Sequence, residues 1–188
     1  MCLEWQNDAT QSTSGNQPQI YNGTAVIIEN GKPAIDIINF GLHATGLTYS
    51  ITNASVFAVA KKDNVTVPYL STLWRLGDGS TRQNEFTIWH DKTNRDTINI
   101  RREESSTVTN ASSTGVTEVL SQHIMTGIQT SSQMLAYVNG TNKITQSLSP
   151  SSISLTSIDI GAEFINQAGV EYEGRIQEVI IYLSLIHI

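Results

Sequence analysis

Short runs of β-branched or alternating apolar residues recur along this chain, and each run ends at Gly, Asn, Asp, Ser or Pro. Breaks follow one another within about 8 to 14 residues, a spacing typical of strands joined by turns. Alternation places successive side chains on opposite faces of a strand. No run carries an apolar stripe that would extend over three turns of a helix. The pattern predicts about a dozen short strands and no long helix.

Two segments deviate from this simple pattern. Residues 116–128 contain apolar side chains that also fit one side of a helix, but Thr117, Thr126 and Gly127 disfavour a helix. We therefore expect a strand there. Residues 103–115 are rich in Ser and Thr and predict a long surface loop.

The turns between runs indicate how the strands pair. Asn30-Gly31 and Asn139-Gly140 each separate two strand-like runs, and Asp78-Gly79 marks another tight turn. Asn-Gly supplies the positive φ angles of a two-residue hairpin, so neighbouring strands are expected to be antiparallel. Short antiparallel strands without intervening helices predict a β-sandwich or jelly roll.

Composition limits the partners of the domain. The chain has 188 residues, which suits one domain, and carries 17 acidic against 11 basic residues without a long basic cluster. The electrostatic footprint of a nucleic-acid-binding protein is therefore missing. No stretch approaches the ~18 apolar residues of a membrane span, and residues 1–7 lack the pattern of a secretory signal. The single cysteine, Cys2, excludes an internal disulfide.

Three segments resemble concanavalin A-like lectin/glucanase domains of the laminin-G-like type. Residues 172–182 resemble the closing strand of that superfamily, residues 134–140 its strand before an Asn-Gly hairpin, and residues 157–162 its Ile-Gly strand. Residues 7–11 and 30–34 are similar to the opening of lectin-like domains in bacteriophage structural proteins and in an arabinofuranosidase family. The resemblance implies an all-β fold, a jelly-roll β-sandwich of two antiparallel sheets.

The resemblance also implies domain limits. It covers roughly residues 5–182, so we expect residues 1–182 to form a single lectin-like domain whose first strand is truncated at the N-terminus. Residues 183–188 depart from the pattern of the superfamily and look like adapter read-through, which makes them a doubtful, non-native tail.

Catalytic motifs are weak. Residues 157–163 echo the Glu-x-Asp-x-x-Glu strand of laminarinase-like glucanases, but Ser157 stands where the nucleophile would be. We interpret Asp159 as a solvated strand residue and Glu163 as a loop residue. A glycosidase function requires a second carboxylate close to one of them. His43, His90, His123 and His187 lack the spacing of metal ligands. We expect no catalytic residues and no metal site.

A binding surface is predicted from two neighbouring runs. Alternation puts Trp89 and Asp91 on a polar strand face, and Asn99 and Arg101 on the outward face of the next run. An indole on such a face can stack on a sugar ring, while amide and charged groups orient its hydroxyls. The alternative is that Trp89 fills the space between the sandwich layers or under a loop. Trp74 and Trp5 are expected in the core.

The resulting hypothesis is a non-catalytic module that binds a glycan or polysaccharide through Trp89, Asp91, Asn99 and Arg101. The phage resemblance places it in a virion or an extracellular protein. The alternative is a virion decoration or tail-fibre spacer that contacts other subunits, and a glycoside hydrolase is a third reading. No cofactor is expected, although calcium in loops near Asp63, Asp78, Asp91 or Asp96 remains an alternative.

Overall fold

The computed structural model describes residues 12, 14–37, 41–63, 70–79, 82–91, 94, 96–163 and 171–183. Within these residues the strands are β1 (Ile28–Glu29), β2 (Lys32–Pro33), β3 (Ile35–Ile37), β4 (Leu42–Ile51), β5 (Ala54–Lys62), β6 (Ser71–Gly77), β7 (Glu85–His90), β8 (Ile98–Glu104), β9 (Thr107–Ser113), β10 (His123–Gln129), β11 (Gln133–Val138), β12 (Thr141–Ser147), β13 (Ile153–Ile160) and β14 (Gly174–Tyr182). Two 3-10 helices cover Ser14–Asn16 and Thr117–Leu120. Each is a single turn, so neither helix of the described chain is long enough to cross a membrane.

The strands form two antiparallel six-stranded sheets and one small hairpin. Sheet I has the strand order β12-β11-β10-β5-β14-β3, sheet II has the order β4-β13-β6-β7-β8-β9, and β1 pairs with β2. Two predicted Asn-Gly turns connect β1 to β2 and β11 to β12. Asn30 and Gly31 have φ angles of 47° and 76°, and Asn139 and Gly140 have 50° and 77°. The predicted all-β sandwich with Asn-Gly hairpins is confirmed.

Two predicted segment boundaries are wrong. Residues 103–115 are not a loop, because β8 continues to Glu104 and β9 follows after a tight turn at Ser105, whose φ is 56°. β9 lies at a sheet edge and is largely exposed, so its sequence lacks an apolar face that would mark a strand. In residues 116–128, a 3-10 helix over Thr117–Leu120 buries Val119, and the strand begins only at His123.

The core lies between the two sheets and is centred on an indole. Trp74 of β6 is fully buried and packs edge-on against Phe86, with ring centroids 5.0 Å apart. Gly127 of β10 leaves room for this indole, because a Cβ atom at that position would lie 2.5 Å from Trp74 Cζ2 and 2.9 Å from Ile88 Cδ1. The prediction that Trp74 belongs to the core is confirmed. Trp5 lies outside the described residues.

A cluster of imidazole and phenol rings extends the core toward one end. His90 of β7 lies 5.6 Å from the Tyr172 ring and 6.3 Å from the His123 ring, measured between centroids. Lys62 Nζ lies 6.0 Å from the centre of the Tyr172 ring. His123 Nδ1 donates to the carbonyl of Ser121 at 3.0 Å. Burial lowers the pKa of His123, and the Ser121 carbonyl offsets only part of that change.

Acid is therefore expected to destabilise the fold through His123. The unfolded chain binds a proton at this residue more readily than the folded chain, so the free energy of unfolding should fall as pH drops below 6.5, the ordinary pKa of histidine. His123→Gln should show a shallower decline over the same window. Thermal melts from about pH 8 to about pH 5 measure both curves. A wild-type curve no steeper than that of the variant would contradict this assignment.

Candidate functional site

The outer face of sheet II carries the predicted binding residues. Phe86, Ile88 and His90 of β7 point into the sandwich, and Trp89 lies on the opposite face and is partly exposed. β7 pairs with β8, and Trp89 is directly opposite Asn99. The expectation that these two strands present Trp89 and Asn99 on one surface is confirmed. Trp89 therefore does not fill the space between the layers, whereas the alternative in which it lies under a loop stays a prediction.

β9 extends this surface with two polar residues that the sequence did not reveal. Ser112 pairs with Asn99, and Asn110 pairs with Arg101. Arg101 is itself opposite Thr87 of β7. We call the resulting surface the platform, and it consists of Trp89, Asn99, Arg101, Asn110 and Ser112. Thr87 lies beneath it, because its side chain is buried and its hydroxyl donates to the Trp74 carbonyl at 2.8 Å. Asn110 and Ser112 were missed because the segment that carries them was predicted to be a loop.

Asp91 lies immediately beyond the end of β7, at the edge of the platform. Its Oδ1 accepts a hydrogen bond from the backbone N–H of Asn94 at 3.0 Å, and its own N–H donates to the Thr97 carbonyl at 3.0 Å. These bonds are those of a side chain that shapes a turn. Asp91 thus helps to define the connection between β7 and β8, and its predicted contact with a ligand stays a prediction.

Next to the platform, a row of charged side chains crosses three strands. The register of β4, β13 and β6 places His43, Asp159 and Arg75 side by side. Arg75 Nη1 donates to Asp159 Oδ2 at 2.9 Å and Arg75 Nε donates to Glu85 Oε2 at 2.7 Å. His43 Nδ1 hydrogen-bonds Asp159 Oδ1. The side chains of Arg75, Asp159 and Glu85 are at most 1% exposed, and with His43 we call them the ion network.

Arg101 joins the ion network to the platform. Its Nε lies 3.1 Å from Glu85 Oε1, and its Nη2 donates to Glu103 Oε2. The Glu85 carboxylate is thereby shared between two guanidinium groups, with one oxygen toward each. Arg82 Nη2 donates to Glu163 Oε2 at 2.7 Å in a further pair.

In the ion network, burial and the neighbouring charges shift the pKa values of Arg75 and Glu85 in opposite directions. Burial on its own would lower the pKa of Arg75, but the Glu85 and Asp159 carboxylates raise it above its ordinary value. Burial raises the pKa of the Glu85 carboxyl, and the Arg75 and Arg101 guanidinium groups offset part of that increase. Gly77 makes room for the network, since a Cβ atom there would lie 2.5 Å from Arg75 Cζ.

The interpretation of Asp159 as a solvated residue is wrong. Its partners, His43 and Arg75, come from strands that are distant in sequence, and strand alternation does not reveal such contacts. Glu163 does follow the end of β13, as expected, but it is buried against Arg82. Glu85 supplies a second carboxylate near Asp159. The Arg75 guanidinium lies between the two and donates a hydrogen bond to each.

Two of the loop aspartates considered for calcium are already bonded within the protein. Asp78 Oδ1 lies 3.4 Å from Arg75 Nη2, whereas Asp91 holds its turn. Across the described residues, no group of three or more His, Cys, Asp or Glu side chains is arranged to hold a metal ion. Cys2, His187 and the doubtful tail beyond Leu183 lie outside the described part of the chain.

Solved structures of other proteins share this fold. The CBM40 module of Ruminococcus gnavus IT-sialidase bound to α2,3-sialyllactose has a TM-score of 0.60 at 11% identity, covering 83% of this chain and 92% of that chain. The LG4-5 domains of the mouse laminin alpha1 chain have a TM-score of 0.59 at 10% identity, covering 77% of this chain and 40% of that chain. A heptameric SAP-like pentraxin from Limulus polyphemus has a TM-score of 0.58 at 13% identity, covering 79% of this chain and 72% of that chain.

These neighbours are lectin-like jelly-roll domains, and the predicted jelly-roll sandwich is confirmed. This chain spans less than half of the laminin fragment and nearly all of the CBM40 module. No protein-family model and no curated protein sequence matches the chain. At 10–13% identity the likeness establishes the fold and leaves the ligand open.

Removing one carboxylate from the ion network should destabilise the domain strongly. Asp159→Asn leaves Arg75 and His43 buried beside a neutral amide, and breaking a buried ion pair in this way costs about 3 kcal/mol or more. Urea denaturation measures the free energy of unfolding. Glu118→Gln, which breaks the more exposed pair with Lys143, is the matched control and should change stability little. Similar losses in the two variants would contradict a central role for the network.

Proposed function

We propose that this domain is a non-catalytic carbohydrate-binding module that holds a glycan on the platform of sheet II. The observation that carries this proposal is the partly exposed indole of Trp89, which is surrounded on three paired strands by amide and hydroxyl side chains. An aromatic ring provides a flat apolar surface for the C–H face of a sugar. Amide and hydroxyl groups at fixed positions bond to its hydroxyls.

The geometry of the sheet fixes the size of this surface. Paired strands lie about 4.8 Å apart, and side chains on one face recur about every 6.8 Å along a strand. The platform covers three strands, with one position on β7 and two on each of β8 and β9, or roughly 10 by 7 Å between its outermost Cα atoms. Since the strands are hydrogen-bonded to one another, their polar groups are positioned before a ligand arrives, which reduces the entropy lost on binding.

In this proposal the four predicted residues have distinct roles. Trp89 stacks on the sugar, and Asn99 and Arg101 orient its hydroxyl groups. Asp91 lies at the rim and holds the turn beside the indole. The shared fold of the Ruminococcus gnavus CBM40 module, which binds sialyllactose, supports carbohydrate recognition in general. We place the domain in a virion-associated or secreted protein, following the phage and lectin resemblance of the sequence.

The charge arrangement supports binding without hydrolysis. A retaining or inverting glycosidase needs two carboxyl groups facing the bond that is cleaved. Asp159 and Glu85 instead face the guanidinium of Arg75, which hydrogen-bonds to both. These carboxylates organise the sheet face, and the sugar contacts the neighbouring platform.

The second candidate function is a structural spacer that contacts other subunits. A specific observation favours it: the outer face of sheet I exposes Ile124 by 48%, Ile180 by 39% and Tyr182 by 43%. Phe57 packs edge-on against Tyr182 on the same face, at 6.2 Å between centroids. An apolar sheet face of this kind can pack against a second copy of the domain. The two candidates therefore use opposite sides of the sandwich.

Replacing the indole should abolish glycan binding. Trp89→Ala removes the stacking surface without touching the core, so we expect at least about a tenfold loss of affinity with the fold retained. A glycan array, followed by calorimetry on its hits, measures the affinity, and circular dichroism checks the fold. Tyr182→Ala, an aromatic truncation on the outer face of sheet I, is the matched control and should bind like the wild type.

Two results would reject this proposal. Unchanged binding in Trp89→Ala would place the site elsewhere. Absence of binding to any glycan by a well-folded wild-type sample would favour the spacer, and sedimentation would then show self-association through sheet I. Repeating the array with a calcium chelator decides whether calcium takes part.

A further inference from the structure

The Arg101 guanidinium on the platform is already paired with two carboxylates of the chain. Arg101 Nε lies 3.1 Å from Glu85 Oε1, and Arg101 Nη2 donates to Glu103 Oε2. Nε and Nη2 together form the side-on edge of an arginine, the edge that receives a carboxylate through two parallel hydrogen bonds. In Arg101 the Nη2 half of this edge is hydrogen-bonded to Glu103, and the Nε half forms an ion pair with Glu85. The arginine is thus already neutralised before any ligand arrives.

The pairing of Arg101 with two glutamates determines whether charged or uncharged sugars bind at this position. Acidic sugars carry a carboxylate, and proteins bind carboxylates best through an unoccupied guanidinium fork. A sugar carboxylate at Arg101 would have to displace Glu103 or approach both glutamates closely. The Arg101 side chain is only 15% exposed and that of Glu103 only 10%, so solvent screens this repulsion less than at an open surface. An uncharged sugar is not repelled by these glutamates, because its hydroxyl groups can donate hydrogen bonds to the carboxylate oxygens.

We infer that the platform selects uncharged glycans over acidic ones and that Glu103 is the residue that sets this preference. The inference rests on the proposed function, because it concerns the ligand class of the same site. Glu103 acts on the ligand through Arg101, so it is a positioning residue. It fills the place on the guanidinium that a ligand carboxylate would otherwise take.

Glu103 is a better test position than Glu85. Glu85 is buried and also holds Arg75 at 2.7 Å, so its replacement would disturb the ion network. Glu103 lies at the margin of that network, opposite Val108 of the edge strand β9. Glu103→Gln keeps the shape of the side chain and removes its charge, so a ligand carboxylate competes for Nη2 of Arg101 with a neutral amide oxygen and no longer with a carboxylate.

The neighbouring residue provides a matched control. Glu104 belongs to the same strand and pairs with Arg102 at 3.2 Å, away from Arg101. Glu104→Gln removes the same charge from the whole protein. Any change caused by net charge alone appears in both variants, whereas a change caused by release of Arg101 appears only in Glu103→Gln.

The experiment compares paired glycans that differ in acidity. Lactose and sialyllactose form one pair, and oligogalactan and oligogalacturonate form another. Wild-type protein should bind the neutral member of a pair more tightly than the acidic member. In Glu103→Gln the affinity for the acidic member, relative to the neutral one, should rise by about tenfold. In Glu104→Gln this ratio should stay at its wild-type value.

Each outcome has a definite meaning. Wild-type protein that binds acidic members as tightly as neutral ones overturns the inferred preference and leaves glycan binding intact. An unchanged ratio in a folded Glu103→Gln variant overturns the role of Glu103. If that variant does not fold, the wild-type ratios alone decide the preference. If folded wild-type protein binds no member of either class, the proposed function fails, and this inference fails with it.

Discussion

The guanidinium of Arg75 is the point on which the outer face of sheet II depends. It is fully buried and is held by Asp159 from β13 and by Glu85 from β7. Taking such a charge out of water is costly, and the cost is met only when opposite charges are close and hydrogen-bonded. The network, including the His43 contact to Asp159, therefore fixes four adjacent strands, β4, β13, β6 and β7, to one another on the side away from the apolar core. It also places Glu85 beside Arg101, so the ion pairs that stabilise the sheet also position a side chain of the platform.

Charge is scarce in this chain, at 15% of residues, and the outer face of sheet II holds a paired cluster of it around Arg75, Glu85 and Arg101. The other outer face, on sheet I, carries Ile124, Ile180 and Tyr182 with substantial exposure. The sandwich thus presents two chemically different exteriors around one core. A polar, preorganised surface suits a hydroxylated ligand, whereas an apolar sheet suits protein contacts. This difference separates the two candidate functions in space.

Local sequence was sufficient for the features that depend on neighbours along the chain. Asn-Gly turns predicted two hairpins, and strand alternation placed Trp89 and Asn99 correctly on an outward face. It was insufficient where partners are remote: Asp159 is 84 positions from Arg75 and 116 from His43. Edge strand β9 also escaped prediction, because an exposed edge needs no apolar alternation and its turn uses Ser105 instead of glycine.

The central claim is that a glycan binds to the platform of sheet II. The most direct measurement is an NMR titration of the isotope-labelled chain with neutral oligosaccharides, beginning with lactose. The account predicts saturable shifts of the Trp89 indole N–H and of backbone amides in β7, β8 and β9, while amides around Phe57 and Ile180 in sheet I stay unchanged. Saturable shifts confined to sheet I, or no shifts with any oligosaccharide, would contradict it.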